Sequence, residues 1–148
     1  MSGEDPELIR QLKLRGLRPT RQRLALARLL FRNGPRHLSA EELYQEARDA
    51  GITVSLATVY NTLHQFTRAG LLSEVVVGSG QSYFDTDTTS HYHYYDRTTG
   101  RIVDIPEHEV VFARLPQAPE GCIVDRVDVV IRVRRVDQPA ICRPANKD

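Results

Sequence analysis

The stretch SLATVYNTLHQFTRAGLLSEVVVGSGQSYFD, residues 55–85, decides the fold. Its first half has the period of a helix. Leu56, Val59, Leu63 and Phe66 recur three and four residues apart and define one apolar face, with Ser55 placed to cap it and Gly70 to end it. The opposite face carries Ala57, Thr58, Tyr60, Asn61, His64, Gln65 and Arg68. That face is polar but almost uncharged. A merely solvated helix normally carries Glu and Lys pairs instead. Small hydroxyls, an amide, a phenol and one arginine suit base edges and phosphates. After Gly70 the period drops to two. Leu72–Val77 and Gln81–Phe84, joined by Gly78-Ser79-Gly80, read as a β-hairpin.

Upstream the pattern is helical three more times. A short helix is expected from about Asp5 to Arg15, closed by Gly16. A second is opened by Pro19-Thr20, carries Leu24, Leu26, Leu29, Leu30 and Phe31, and stops at Asn33-Gly34-Pro35. A third begins at Ser39, where Glu42 three residues on completes a capping box, and it ends at Gly51. Helices followed by a hairpin describe a winged helix-turn-helix, and residues 56–69 would be the helix that enters a major groove.

Charge supports that reading. The chain has 148 residues, 41% hydrophobic and 26% charged, with a net charge of +1. Yet Leu8–Ala40 contains no acid while holding Arg10, Lys13, Arg15, Arg18, Arg21, Arg23, Arg28, Arg32 and Arg36. A solvated face would serve solubility equally well with mixed charge. An arginine-rich segment of one sign suits a polyanion, nucleic acid first.

Downstream, residues 86–90 (Thr-Asp-Thr-Thr-Ser) read as a linker between a domain of residues 1–85 and one of residues 91–148. Strands are expected at His91–Tyr95, Arg101–Ile105 and Ile123–Arg135, with a short helix from Pro106 to Leu115. A sheet of three strands cannot readily bury both faces, so a homodimer is expected. The tail beyond Val136 contains Pro139 and Pro144 and should be mobile. No apolar run approaches the roughly 20 residues of a membrane span, and MSGEDPELIR is not a secretory signal, so the chain is expected to be cytoplasmic with no membrane partner. Cys122 and Cys142 form no CxxC, which argues against a thiolate zinc site.

His91-Tyr92-His93 places two imidazoles on one side of a strand. Asp85 ends the hairpin, Asp104 lies on the strand expected to pair with His91–Tyr95, and His37 precedes the third helix. Three imidazoles and two carboxylates suit Fe²⁺, Mn²⁺ or Zn²⁺ and lack the soft sulfur that favours copper(I). Exposed structural histidines are the bland alternative. A non-haem iron enzyme is another, but no base, nucleophile or substrate cleft can be named beside it.

LRGLRPTRQRLALARLLF, RHLSAEELYQEA, VSLATVYNTLHQFTRAGLL, FDTDTTSHYHYY and GRIVDIP together resemble the ferric uptake regulator (Fur) family of bacterial transcription factors, over about residues 10–135. The resemblance implies an α+β architecture, with an N-terminal winged helix-turn-helix domain and a small C-terminal α/β dimerisation domain. It implies a dimeric, metal-responsive regulator binding operator DNA, and no enzyme. His37, Asp85, His91, His93 and Asp104 then fall on the family's regulatory metal site. Arg18, Thr58, Tyr60 and Asn61 fall where DNA is contacted. Asp96 and Thr99 stand where many members begin a cysteine-bound zinc site, so none is expected here. Tyr92 and Val127 replace ligands of a second family site. TVYNTL, TSHYHYY and VDIP without cysteine zinc look most like the iron response regulator (Irr) branch, which controls iron and haem homeostasis genes. That branch implies a haem contact through His91 or His93. A peroxide-sensing regulator of the same superfamily is the alternative, although such regulators usually keep the cysteine zinc.

Overall fold

The computed structural model describes residues 5–78 and 80–137. It divides into two compact units, Met1–Thr88 and Thr89–Asp148.

The first unit is helical with a small sheet. Helix α1 spans Pro6–Leu14; Asp5 caps it by accepting from Leu8 N–H at 3.2 Å, and Pro6 occupies the first turn, where its missing N–H costs nothing. Helix α2 spans Arg21–Phe31, capped by Thr20, whose Oγ1 accepts from Arg23 N–H. Helix α3 spans Ala40–Asp49 and has both halves of the expected capping box: Glu42 N–H donates to Ser39 Oγ at 3.2 Å, and Ser39 N–H donates to the Glu42 carboxylate at 2.8 Å. Helix α4 spans Leu56–Arg68, with Ser55 accepting from Thr58 N–H at 3.0 Å.

Between α2 and α3 lies β1, His37–Leu38, a two-residue strand that sequence patterning does not reveal. Strands β2 (Ser73–Gly78) and β3 (Gln81–Asp85) form the expected hairpin, and the sheet order is β1-β3-β2, antiparallel throughout. Leu26, Leu30, Leu38, Leu43, Val59, Leu63 and Phe66 are fully buried in one core with Leu12 and Phe84. Helices before a hairpin whose sheet takes in a short strand ahead of α3 make this a winged helix-turn-helix, with α4 as the last helix before the wing.

The second unit is a three-stranded sheet of order β5-β4-β6. Strand β4 (His91–Asp96) is central; β5 (Ile102–Pro106) pairs with it antiparallel, and β6 (Val130–Val133) pairs parallel. Two expectations need correction. The helix expected from Pro106 to Leu115 is a single 3₁₀ turn, Glu107–Glu109. Pro106 supplies no side-chain cap there, Val110 and Val111 are β-branched, and Val111 is 85% exposed. Phe112 meets Tyr92 edge to face, but one such contact does not supply the packed face that a short helix needs. The strand expected from Ile123 to Arg135 is paired only over Val130–Val133. With His93 opposite Val130 and β4 starting at His91, residues before about 128 run past the end of the only strand beside them. Val136 and Asp137 form a turn, and the rest of the tail, with Pro139, Cys142 and Pro144, lies outside the described residues. Cys122 is an exposed free thiol. Among the described residues no helix is long and apolar enough to cross a membrane.

Candidate functional site

Two groups of donors can bind a cation, one in each unit. In the first unit, pairing of β1 with β3 sets His37 opposite Asp85. His37 Nε2 lies 3.0 Å from Asp85 Oδ2, and Asp85 is 1% exposed. The backbone beside this pair is fastened: Arg36 N–H donates to Thr86 Oγ1 at 2.9 Å, and Thr86 N–H donates to Arg36 C=O at 3.1 Å. Asp87 N–H donates to Asp85 Oδ1 at 2.8 Å, which fixes the carboxylate plane. A carboxylate this buried needs a nearby positive charge or proton donor, and an imidazole supplies either that or a second ligand.

In the second unit, His91 and His93 project from the same side of β4, their ring centroids 4.6 Å apart. The register sets His93 opposite Asp104. His91 Nε2 is 3.2 Å and His93 Nε2 3.6 Å from the same oxygen, Asp104 Oδ1. One ligating atom of each of the three lies within 4.8 Å of those of the others. The Nδ1 of His91 lies 2.6 Å from Thr89 C=O. A carbonyl only accepts, so Nδ1 carries a proton and Nε2 is the nitrogen turned towards the Asp104 oxygen. A nitrogen so placed is satisfied either by donating a proton to the carboxylate or by sharing a cation with it. The donor set is therefore chemically suited to a divalent ion, with a backbone carbonyl orienting one imidazole from behind, as metal-ligating histidines require. Thr89 was not legible as that partner. Its only signal is its position, two residues before His91.

The residues expected to contact DNA lie in the first unit. Arg18 is exposed in the turn before α2, and Thr58, Tyr60 and Asn61 lie on α4. A cleft of about 340 Å³ is lined by Arg18, Thr20, Arg23, Thr58, Asn61 and Gln65, among others. It brings together Arg18, Thr58 and Asn61 and leaves Tyr60 outside. The Tyr60 hydroxyl donates to Glu41 Oε1 of α3 at 2.6 Å. That bond, with some burial and the Glu41 charge, pushes the phenol above its ordinary pKa. The acid-free stretch is also less unopposed than its sequence implies. Arg10 pairs with Glu7, and both Arg36 guanidinium nitrogens reach the Glu46 carboxylate, which pushes the Arg36 pKa up although burial opposes it. Those acids lie just outside the stretch, where a count over Leu8–Ala40 misses them.

At the far end of β4, Asp96 accepts at Oδ1 from Thr98 N–H at 2.9 Å and Thr99 N–H at 3.3 Å, and at Oδ2 from Arg135 Nε at 3.0 Å. Arg135 N–H in turn donates to Thr98 Oγ1 at 3.0 Å. Burial pushes the Asp96 carboxyl up, but the Thr98, Arg135 and Thr99 donors outweigh it and hold it below the usual carboxylate range.

A winged helix with a polar face on α4, followed in the chain by a small sheet with convergent imidazoles, is the fold of a DNA-binding regulator. The ferric uptake regulator family model matches residues 14–121, and the chain belongs to that family, whose members are transcriptional regulators rather than enzymes. The peroxide-responsive repressor PerR of Staphylococcus aureus is 38% identical over 98 residues, 66% of this chain and 66% of that protein; PerR of Staphylococcus epidermidis is also 38% identical over 98 residues. The match thus spans about two thirds of the length of those relatives. The ferric uptake regulator of Pseudomonas aeruginosa with manganese is similar at 28% identity and a TM-score of 0.65, over 85% of this chain and 96% of that one. The Vibrio cholerae ferric uptake regulator is similar at 25% identity and a TM-score of 0.68, over 86% and 99%.

Proposed function

We propose that this chain is a cytoplasmic, homodimeric, metal-responsive regulator that binds operator DNA sequence-specifically. The observation that carries the metal part is the convergence of His91 Nε2 and His93 Nε2 on one Asp104 oxygen, with the other His91 nitrogen committed to Thr89 C=O. His37, Asp85, His91, His93 and Asp104 hold one divalent ion, Fe²⁺ or Mn²⁺ in the cell and Zn²⁺ in vitro. No cysteine-bound zinc accompanies it. The two donor groups, the pair His37 and Asp85 and the triad His91, His93 and Asp104, come from parts of the chain on either side of the 86–90 linker. An ion that needs both groups favours domain arrangements in which they meet. If those arrangements match the half-site spacing of an operator, metal raises DNA affinity without touching DNA. Arg18 reaches the duplex backbone or minor groove, while Thr58, Tyr60 and Asn61 face the major groove. Asn61 suits adenine.

The genes controlled are those of iron and haem homeostasis. Haem iron, which prefers axial imidazole, competes for His91 or His93 and opposes the divalent ion. A second reading, peroxide response, is favoured by the 38% identity to PerR. Operator binding followed by fluorescence anisotropy tests these readings together. Mn²⁺ is expected to raise affinity, haem to lower it, and His93→Ala to blunt both responses while the protein stays folded. A His93→Ala protein that keeps both responses would remove the metal assignment. Loss of DNA binding on adding peroxide to the Fe²⁺ form, but not the Mn²⁺ form, would select the peroxide reading.

A further inference from the structure

The proposed reading of DNA uses two separate pieces of chain at once, the turn carrying Arg18 and helix α4. One side chain touches both. Arg23, in the first turn of α2, donates Nη1–H to the carbonyl of Arg18 at 2.9 Å. Its Nε and Nη2 donate to Gln65 Oε1 on α4, at 3.3 and 2.9 Å. Three of the guanidinium nitrogens' hydrogen bonds therefore go to protein acceptors in one planar fork. Arg23 is half-buried, whereas Arg18 is exposed.

We propose that Arg23 is a positioning residue for DNA recognition, setting the spacing between the Arg18 turn and the base-reading face of α4. The proposal rests on the DNA-binding function above. Gln65 lies one helical turn beyond Asn61, on the same face of α4. Among the described residues, the Arg18 carbonyl is otherwise held by the local turn, through Thr20 N–H at 2.9 Å. Helix α4 is fixed independently by Val59, Leu63 and Phe66, all fully buried. Breaking the fork thus frees the Arg18 turn without unfolding the helix. Contacts from two heads add on one duplex only when their spacing matches it, so a loosened turn costs sequence discrimination before it costs general affinity for DNA.

The test uses the full-length protein with Mn²⁺, a duplex enriched by the wild type from a random double-stranded library, and the same duplex with its bases shuffled. Gln65→Leu breaks the fork without changing charge. It should reduce the ratio of enriched to shuffled affinity about tenfold, with the salt slope unchanged. Arg23→Gln should reduce the ratio similarly, and the double variant should be no worse than the poorer single, because both remove one bridge. Gln65→Glu, which keeps an acceptor for the fork, should retain the ratio. The proposal is overturned if Gln65→Leu leaves the ratio intact while Arg23→Gln weakens both duplexes alike and lowers the salt slope by about one, the signature of a phosphate contact. A wild type that enriches no sequence would sink the regulator reading itself, and this proposal with it, before any variant is made.

Discussion

The two units bury different chemistry. The winged-helix unit buries leucines, Val59, Phe66 and Phe84 almost completely, and each such side chain contributes roughly 1.5–3 kcal/mol on leaving water. The sheet unit buries Tyr92, His93, Tyr95, Asp96, Thr98 and Ile105, of which only Ile105 is aliphatic. Meanwhile it leaves Ile123 88% and Val111 85% exposed, and its edge strand shows Ile131 and Val133. One unit is held mainly by apolar packing, with the His37–Asp85 pair as its buried polar exception. The other is held by hydrogen bonds and ion pairs, and shows apolar surface that water does not favour. Such a unit is suited to having its stability set by a bound ion and by a second copy of itself.

The sharpest way to break this comparison is to cut the core of the first unit. Phe66→Ala removes a fully buried ring and should cost about 3–5 kcal/mol, read by chemical denaturation of the helical signal. A cost below about 1 kcal/mol would mean that the helices are held by something other than their core. In the second unit the corresponding blow falls on assembly. Ile131→Asp puts a charge on the exposed face of β6, and it should raise the dimer dissociation constant by at least about tenfold, roughly 1.4 kcal/mol, in equilibrium sedimentation. A wild type that sediments as a folded monomer at micromolar concentration would reject the dimer.

The same contrast explains how much of the molecule could be read in advance. Helices α2, α3 and α4 announce themselves because caps at Thr20, Ser39 and Ser55 and an apolar stripe point to the same answer. The β4–β5 pair is likewise legible, with Asp104 expected on the partner strand of His91–Tyr95, although the register that sets it opposite His93 comes from the structure. Strand β1 is not, since two residues carry no period; only its partner β3 makes it a strand. The stretch from Val110 to Val129 misled for the converse reason. Its residues have helical or strand patterning, but among the described residues the contacts it makes, such as Phe112 on Tyr92, select neither. At the candidate sites, residue types pointed to the donor set that the structure brings together and to the polar face of α4. The partners that orient them did not show, because Thr89 acts through a backbone carbonyl, and Gln65 and Glu41 are ordinary helix-surface residues.

A smaller effect tests whether the sheet unit depends on polar clasps. Asp96→Asn keeps the shape but removes the charge that Arg135 meets. It should lower the melting temperature at neutral pH by less than Phe66→Ala does. The sign with pH follows from the direction of the shift. The folded-state carboxyl is held below its unfolded value, so its stabilisation is present above the usual carboxylate range. That stabilisation is lost as pH falls through the lowered value. The gap in melting temperature between wild type and Asp96→Asn should therefore close in acid. A gap that stays constant from neutral to acid pH would mean that the Asp96 charge contributes nothing.

The smallest effect belongs to the surface of the winged-helix unit. Tyr60 donates to Glu41, and ionising the phenol would break that bond and set two negative charges side by side. The Tyr60 pKa is raised for this reason, so the stabilisation from the pair is present below the ordinary tyrosine value and lost as pH rises through the raised one. Glu41→Gln removes the opposing charge while leaving an acceptor, and should bring the Tyr60 titration down towards its ordinary value. The chain has six tyrosines, so the phenolate absorbance of each protein is read against its Tyr60→Phe counterpart. An unchanged difference titration in Glu41→Gln would show that the carboxylate does not hold the phenol in solution. Tyr60 would then be free to meet DNA without first leaving a partner. If the titration moves as expected, a Tyr60 contact with the operator, as proposed, would exchange the Glu41 contact for one on the duplex. Because that exchange also brings a carboxylate towards phosphates, Glu41→Gln should then strengthen binding to any duplex, most at low salt.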